Sequence, residues 1–236
     1  IMQEMSGELD IILVGDSLSS VIKGEQSTVR TFMQDVIYHT ACVRKGSPDI
    51  FVVSDLPFMS YQSDVKTAVE NAGRLVRDGG ANAVKLEGGR EFIPQIRAIT
   101  DAGIPVMGHL GLTPQFINSF GSYNARGKEP EERARIKEDA LLLEKAGVFA
   151  VVLECVPASL GKEISETLTV PVIGIGAGPH CDGQVLVLQD MLGMNDNSFR
   201  FLRKYASLKE VIKTAFSEYI NDVRNGDFPD DNESYR

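Results

Sequence analysis

Four acidic residues follow short apolar runs at separate places in the chain. Asp16 comes after IILVG, Asp55 after IFVVS, Glu87 after AVKL and Glu154 after AVVL. A carboxylate beside an apolar segment is costly unless it is ion-paired, hydrogen-bonded or bound to metal. Singly, each could instead be a helix N-cap. If the four meet at one place, their repulsion requires a cation, and oxygen ligands favour Mg²⁺ over zinc.

Three further residues could act with these carboxylates. Lys85 lies two positions before Glu87, so the two side chains share one face of a strand. Lys85 is therefore a candidate to bind a substrate carboxylate, and an ordinary ion pair is the alternative. His109, in GHLGLTP, is a candidate to contact the metal ligands without binding the metal itself. A purely structural role is more common for a histidine. Glu154 has apolar neighbours in VVLECVP and suits a general base.

Two motifs suggest other chemistries and are weaker. VGDSL at 14–18 contains the GDSL sequence of a serine-hydrolase class, which would make Ser17 a nucleophile. Such an enzyme needs an activating histidine, usually in a late DxxH, and the chain has none. GIGAG at 174–178 could bind phosphate through backbone amides or simply form tight turns. It lacks the GxGxxG spacing of a dinucleotide site, and no Walker lysine follows.

The elements that carry these residues alternate between strands and helices. Buried strands are predicted at 11–17, 50–56, 83–88, 105–111, 150–155 and 171–178, with a weaker one at 184–190. Nearly continuous apolar runs of this kind are typical of parallel strands. Amphipathic helices are predicted at 64–78 after Ser63 as N-cap, at 130–146 ended by Gly147, and from Leu208 behind a Ser207–Glu210 capping box. The stretch 121–133 is predicted to be a loop and a possible mobile lid.

This alternation predicts one α/β domain over residues 1–236, with a loose polar tail from about 227. An open sheet would spread the strand-end residues in a row. A (β/α)8 TIM barrel would bring them to one mouth, where barrel enzymes build their active sites. We therefore favour the barrel, and we expect its eighth strand before residue 1.

Composition narrows the partners. A net charge of −9 and a pI near 4.9 argue against binding to nucleic acid or to anionic membranes, because both carry negative charge. The three cysteines form no CxxC pair, which argues against a disulfide framework or a zinc site. No apolar run approaches the roughly 20 residues of a membrane span. We expect a cytoplasmic protein.

Several long motifs together resemble the ketopantoate hydroxymethyltransferase family. They occur in the family's order from about residue 11 onward and are VGDSL, DVIYHTACVRKG, SDLPFMSY, VKLEGG, GHLGLTPQ, LECVP, PVIGIGAG and DGQVLV. The resemblance implies a barrel of the phosphoenolpyruvate/pyruvate-binding type, Mg²⁺, 5,10-methylenetetrahydrofolate as cosubstrate, a small 2-oxo acid substrate and a homodecamer. The product would be 2-dehydropantoate, on the route to pantothenate.

Position by position, the resemblance implies roles for six residues. Asp16 and Asp55 match the metal-binding aspartates, and Glu87 matches the acidic group that completes the metal environment. Ser17 and Lys85 match the residues that contact the oxo acid, and Glu154 matches the catalytic base.

The chain also departs from the family pattern. A first strand ending in a TAYD-like motif is absent, Ser19 and Ser20 stand where glycine and an apolar residue are usual, and GSYNARGK at 121–128 is looser than the family's loop.

Two alternatives stay open on the sequence. A lyase of the phosphoenolpyruvate mutase and isocitrate lyase type would also use strand-end carboxylates and Mg²⁺. Those enzymes typically carry a KxCG-like motif, which this chain lacks. The second alternative is a barrel that has lost catalysis and serves as an assembly module. The retained set of charged strand-end residues argues against that.

Overall fold

The computed structural model describes residues 7–235, which form two compact units, one ending at Val185 and the other beginning at Leu186. The strands are β1 (Ile11–Val14), β2 (Phe51–Asp55), β3 (Ala83–Glu87), β4 (Val106–Gly111), β5 (Ala150–Glu154), β6 (Val172–Ile175) and β7 (Gly183–Gln184). The helices of the first unit are α1 (Leu18–Val21), α2 (Met33–Gly46), α3 (Val65–Arg77), α4 (Ile93–Asp101), α5 (Ile117–Phe120), α6 (Pro130–Lys145) and α7 (Ala158–Thr167). Short 3-10 turns lie at Thr28–Arg30, Arg90–Phe92 and Pro114–Phe116.

All strand pairs are parallel and follow chain order from β1 to β7. The register pairs Asp55 with Lys85, Glu87 with His109, and Gly111 with Glu154. Each neighbouring pair of strands therefore brings its site residues side by side at the carboxyl ends. The α/β barrel predicted from the sequence is confirmed as the fold class. The eighth strand expected before residue 1 lies outside the described residues.

The two faces of the sheet pack against different cores. One face packs against the surrounding helices through a large apolar cluster that includes Val52, Leu86, Ile96 and Leu143. The other face carries a smaller cluster made of Val53, Ala83, Met107, Ala150 and Val152. Because side chains alternate along a strand, Asp55, Lys85, Glu87, His109 and Glu154 lie on this second face. The site is thus an extension of the inner core toward the carboxyl ends of the strands.

Three predicted details differ from the structure. Helix α3 is capped by Asp64, whose carboxylate accepts from Thr67 N at 2.8 Å, and Ser63 lies one residue outside the cap. The strand predicted at 184–190 is only two residues long, Gly183–Gln184, and α8 begins at Leu188. The loop predicted at 121–133 is shorter as well, since α6 starts at Pro130. The single-domain prediction is not decided by these elements and stays a prediction.

The second unit contains α8 (Leu188–Met191) and α9 (Leu208–Asn225). The predicted start of α9 is confirmed, but its capping box is wrong. Ser207 has φ −129° and ψ 57° and makes no side-chain cap bond, while its backbone carbonyl accepts from Glu210 N at 3.1 Å. No helix in the described part of the chain is long and apolar enough to cross a membrane.

Candidate functional site

The first two acidic residues are joined directly. Asp16 follows β1 and is 4 % exposed, and Asp55 ends β2 and is 3 % exposed. The backbone N–H of Asp16 donates to Asp55 Oδ2 at 3.0 Å. Behind Asp16, the Thr31 hydroxyl donates to its carbonyl at 2.8 Å and pairs with the Ser19 hydroxyl at 2.8 Å. Ser19, which departs from the family pattern, therefore supports the turn that presents Asp16.

Lys85 is the buried cation of this group. Its Nζ lies 2.9 Å from Asp55 Oδ1, and the side chains of both residues are 4 % exposed. Burial lowers the pKa of Lys85, but the carboxylates of Asp55 and Glu87 outweigh burial and raise the pKa above its ordinary value. Lys85 is therefore charged at neutral pH, as the sequence predicted for a residue that would bind an anionic substrate.

His109 links the remaining two carboxylates. Its Nδ1 lies 3.5 Å from Glu87 Oε1 and 3.3 Å from Lys85 Nζ, and its Nε2 lies 3.3 Å from Glu154 Oε2. Burial and Lys85 lower the pKa of His109, but Glu154 and Glu87 outweigh them and raise it to about 9. His109 thus stands between the candidate metal ligand and the candidate base.

Glu154 is the most accessible carboxylate of the group. Its side chain is 17 % exposed, against 2 % for that of Glu87. The backbone around it is tightly fixed. Leu112 N donates to the Glu154 carbonyl, and at Gly111, with φ +91°, a Cβ would meet that carbonyl oxygen at 2.2 Å. A base that must reach a substrate from a fixed position needs this combination of access and rigidity.

Negative charge is in excess among the buried residues. Asp16, Asp55 and Glu87 are three carboxylates against two cations, Lys85 and His109, and burial together with Asp55 and Glu87 raises the pKa of Asp16 well above its usual range. No group of three or more His, Cys, Asp or Glu side chains within residues 7–235 is arranged as it stands to hold a metal ion. The donor chemistry and the uncompensated charge nevertheless fit Mg²⁺, which is commonly bound by one or two carboxylates and keeps several waters.

The structure also places residues that the sequence did not select. Gln115 and Tyr61 are 2 % and 0 % exposed; Gln115 donates to the carboxylates of Glu87 and Asp16, and the Tyr61 hydroxyl bonds to the backbone of Glu87. Both residues lie within the motifs quoted above, but neither type signals chemistry by itself. Ser17, which was selected, sits at the first turn of α1 and makes no side-chain cap bond there.

The loop between α5 and α6 comes close to Glu154. Arg126 N donates to the carbonyl of Cys155, the residue after Glu154, at 2.8 Å. The motion predicted for this loop stays a prediction. In the GIGAG motif, Gly178 has φ +87°, and a Cβ there would meet that of Ala158 at 2.4 Å. That glycine therefore permits close packing at the start of α7.

Solved structures first define the class of fold. The chain is similar to 2,3-dimethylmalate lyase, a PEP mutase/isocitrate lyase superfamily member, with a TM-score of 0.57 and 14% identity over 95% of this chain and 77% of that one. It is also similar to phosphoenolpyruvate phosphomutase from Streptomyces platensis subsp. rosaceus, with a TM-score of 0.59 and 14% identity over 93% and 77% of the two chains. At this identity the likeness establishes an α/β barrel and nothing about the reaction.

Sequence comparison then gives the particular family. The ketopantoate hydroxymethyltransferase family model matches residues 2–231. The chain is 52% identical over 226 residues to 3-methyl-2-oxobutanoate hydroxymethyltransferase of Clostridium botulinum, covering 95% of this chain and 82% of that protein. It is 53% identical over 230 residues to the Moorella thermoacetica protein of the same name, covering 97% and 85%. The chain belongs to the ketopantoate hydroxymethyltransferase family.

Proposed function

We propose that this enzyme transfers a hydroxymethyl group from 5,10-methylenetetrahydrofolate to 3-methyl-2-oxobutanoate, giving 2-dehydropantoate in the first step of pantothenate biosynthesis. Family membership supports the reaction, since relatives at about half identity carry the name of this activity. The observation that carries the assignment to particular residues is the convergence of Asp16, Asp55, Lys85, Glu87 and Glu154 at one end of the barrel.

Asp16, Asp55 and Glu87 are the residues that would hold Mg²⁺. Three carboxylates against Lys85 and His109 leave an excess of negative charge that supports this assignment, and so does the raised pKa of Asp16. Bound Mg²⁺ would polarise the 2-oxo group and stabilise the enolate that forms when C3 loses its proton. Lys85 and Ser17 would bind the carboxylate of the oxo acid, which Lys85 can do as a buried ammonium.

Glu154 would remove the proton from C3 of the oxo acid. Its side chain is 17 % exposed, and His109 Nε2 lies 3.3 Å from its Oε2. The carbanionic C3 then forms a carbon–carbon bond with the methylene carbon of the folate. The bonds from that carbon to the folate nitrogens break, and water supplies the hydroxyl oxygen, so that tetrahydrofolate is released.

The test is proton NMR of 3-methyl-2-oxobutanoate in D₂O with the enzyme and Mg²⁺, with and without 5,10-methylenetetrahydrofolate. We expect Mg²⁺-dependent loss of the C3–H signal, followed by 2-dehydropantoate once the folate is added. If the folded enzyme does not exchange the C3 hydrogen for deuterium, the transferase proposal is wrong. Carbon–carbon cleavage of a related 2-hydroxy acid would then support a lyase, and no turnover at all would support a non-catalytic barrel.

The proposal includes a cytoplasmic homodecamer. The three cysteines, all of them free, support the location, because a reducing compartment keeps thiols unpaired. Exposed apolar side chains on α9, among them Val211, Phe216 and Ile220, support self-association of the chain. Light scattering coupled to size exclusion would give the mass directly, and a monomer would exclude the decamer.

A further inference from the structure

Gln115 connects two of the candidate metal ligands. It lies in the 3-10 turn after β4 and is 2 % exposed. Its backbone N–H donates to Glu87 Oε2 at 2.9 Å, and its side-chain Nε2 donates to Asp16 Oδ2 at 2.9 Å. One residue therefore gives a hydrogen bond to each of two buried carboxylates that stand 71 positions apart in the chain.

The orientation of the Gln115 amide is determined by its neighbours. Nε2 faces two acceptors, Asp16 Oδ2 and the Leu56 carbonyl, each at 2.9 Å. Oε1 faces two donors, the Tyr61 hydroxyl at 2.9 Å and Gln62 Nε2 at 3.1 Å. Both amide hydrogens have acceptors, and Oε1 accepts from Gln62 Nε2 and shares the single Tyr61 hydroxyl hydrogen with the Glu87 carbonyl. A flipped amide would place like groups against each other on each side.

Tyr61 fixes this arrangement from behind. Its ring is fully buried and packs edge-on against Phe92, with ring centroids 5.1 Å apart. Its hydroxyl accepts from Glu87 N at 3.1 Å and lies 2.8 Å from the Glu87 carbonyl and 2.9 Å from Gln115 Oε1. The hydroxyl therefore joins the Glu87 backbone to the Gln115 amide.

We propose that Gln115 is a positioning residue that sets the carboxylates of Asp16 and Glu87 for a divalent cation, with Tyr61 holding Gln115 in place. The inference rests on the metal-dependent function proposed above. A neutral amide is suited to this task because it fixes a carboxylate oxygen and leaves the negative charge in place. Lys85, by contrast, orients Asp55 but also cancels one charge.

The experiment measures Mn²⁺ binding to the chelator-stripped enzyme by electron paramagnetic resonance of free Mn²⁺, with no substrate present. Gln115→Met keeps the length of the side chain and removes the amide, and Gln115→Asn keeps the amide but withdraws it by one methylene. Gln95→Met is the matched control, since Gln95 is also a buried glutamine beside Tyr61 and makes no bond to a carboxylate.

We expect Mn²⁺ affinity to fall about 10- to 100-fold in both Gln115 variants, as is usual when a partner of a metal ligand is lost. Gln95→Met should bind as the wild type does, even if its melting temperature falls. Unchanged affinity in a folded Gln115 variant would overturn the inference while leaving the metal proposal intact. A wild-type enzyme that binds no Mn²⁺ would overturn both. If Gln115→Met does not fold, Gln115→Asn decides the question.

Discussion

The two ends of the barrel strands each contain a cation in a polar setting, but the settings differ. At the amino ends, Arg44 of α2 donates to the carbonyls of Gly80, Pro48 and Ile50, each at 2.9 Å, and to Asn82 Oδ1. Asn82 Oδ1 also accepts from Val52 N at 2.9 Å, which joins this group to β2. Every acceptor is neutral and is met by a donor.

At the carboxyl ends, Lys85 faces several carboxylates that it cannot neutralise alone. The hydrogen-bonding groups around Arg44 are all paired without a ligand. These bonds therefore stabilise the loops that precede β2 and β3. The Lys85 group is incomplete, and a buried excess of charge lowers stability until a ligand or metal balances it. The residues that stabilise the fold and the residues of the proposed site therefore lie at opposite ends of the same strands.

The largest effect should come from Glu154→Gln at the carboxyl end. The amide keeps the shape of the side chain and cannot accept the proton, so C3–H exchange should fall about 10³-fold. The melting temperature should stay close to that of the wild type. Exchange is measured by NMR in D₂O, with Glu166→Gln on α7 as the control, where an exposed carboxylate is lost far from the site. Exchange at the wild-type rate would exclude Glu154 as the base.

The next largest effect should come from a substitution at the amino ends of the strands. Arg44→Met removes the donors to four acceptors, and we expect a loss of about 2 kcal/mol in the free energy of unfolding. Urea denaturation measures the loss, and kcat should be unchanged. Arg44→Lys should not restore stability, because one ammonium cannot span the same acceptors. A fall in kcat at full stability would contradict the division between the two ends.

Asp16→Asn should separate stability from function at the carboxyl end. Because the folded protein raises the pKa of Asp16, the ionised carboxylate opposes folding at neutral pH. The variant should lose Mg²⁺-dependent exchange and, with chelator present, be more stable than the wild type. The gain should vanish as the pH falls below the ordinary range for an aspartate, where both states are protonated. Thermal unfolding over pH 3–8 tests this, and a less stable variant at pH 8 would contradict it.

The smallest effect concerns an exposed carboxylate outside the site. Hydrogen bonds from Thr67 lower the pKa of Asp64, the cap of α3, so its ionised form stabilises folding. Asp64→Ala should lower the melting temperature by about 2 °C at neutral pH. The difference should shrink as the pH falls through the lowered pKa. Asp64→Asn, which can also cap, should lie closer to the wild type at pH 7.

Much of the site followed from the sequence because its residues obey local rules. The apolar runs before Asp16, Asp55, Glu87 and Glu154 form strands, and parallel strands bring their carboxyl ends together. The two-residue period placed Lys85 and Glu87 on one face. Caps were predicted less well, since Ser63 and Asp64 are both acceptable and only the backbone decides between them.

The sequence by itself determined the alternation of strands and helices, the family, and the charged residues at the strand ends. Tertiary structure alone decided how those residues touch: the bond between Asp16 and Asp55, the place of His109 between two glutamates, and the contacts of Gln115 and Tyr61. The physical reason is that a neutral glutamine or tyrosine has no distinctive pattern along the chain. Its role exists only once residues far apart in sequence come within hydrogen-bond distance in a buried, low-dielectric place.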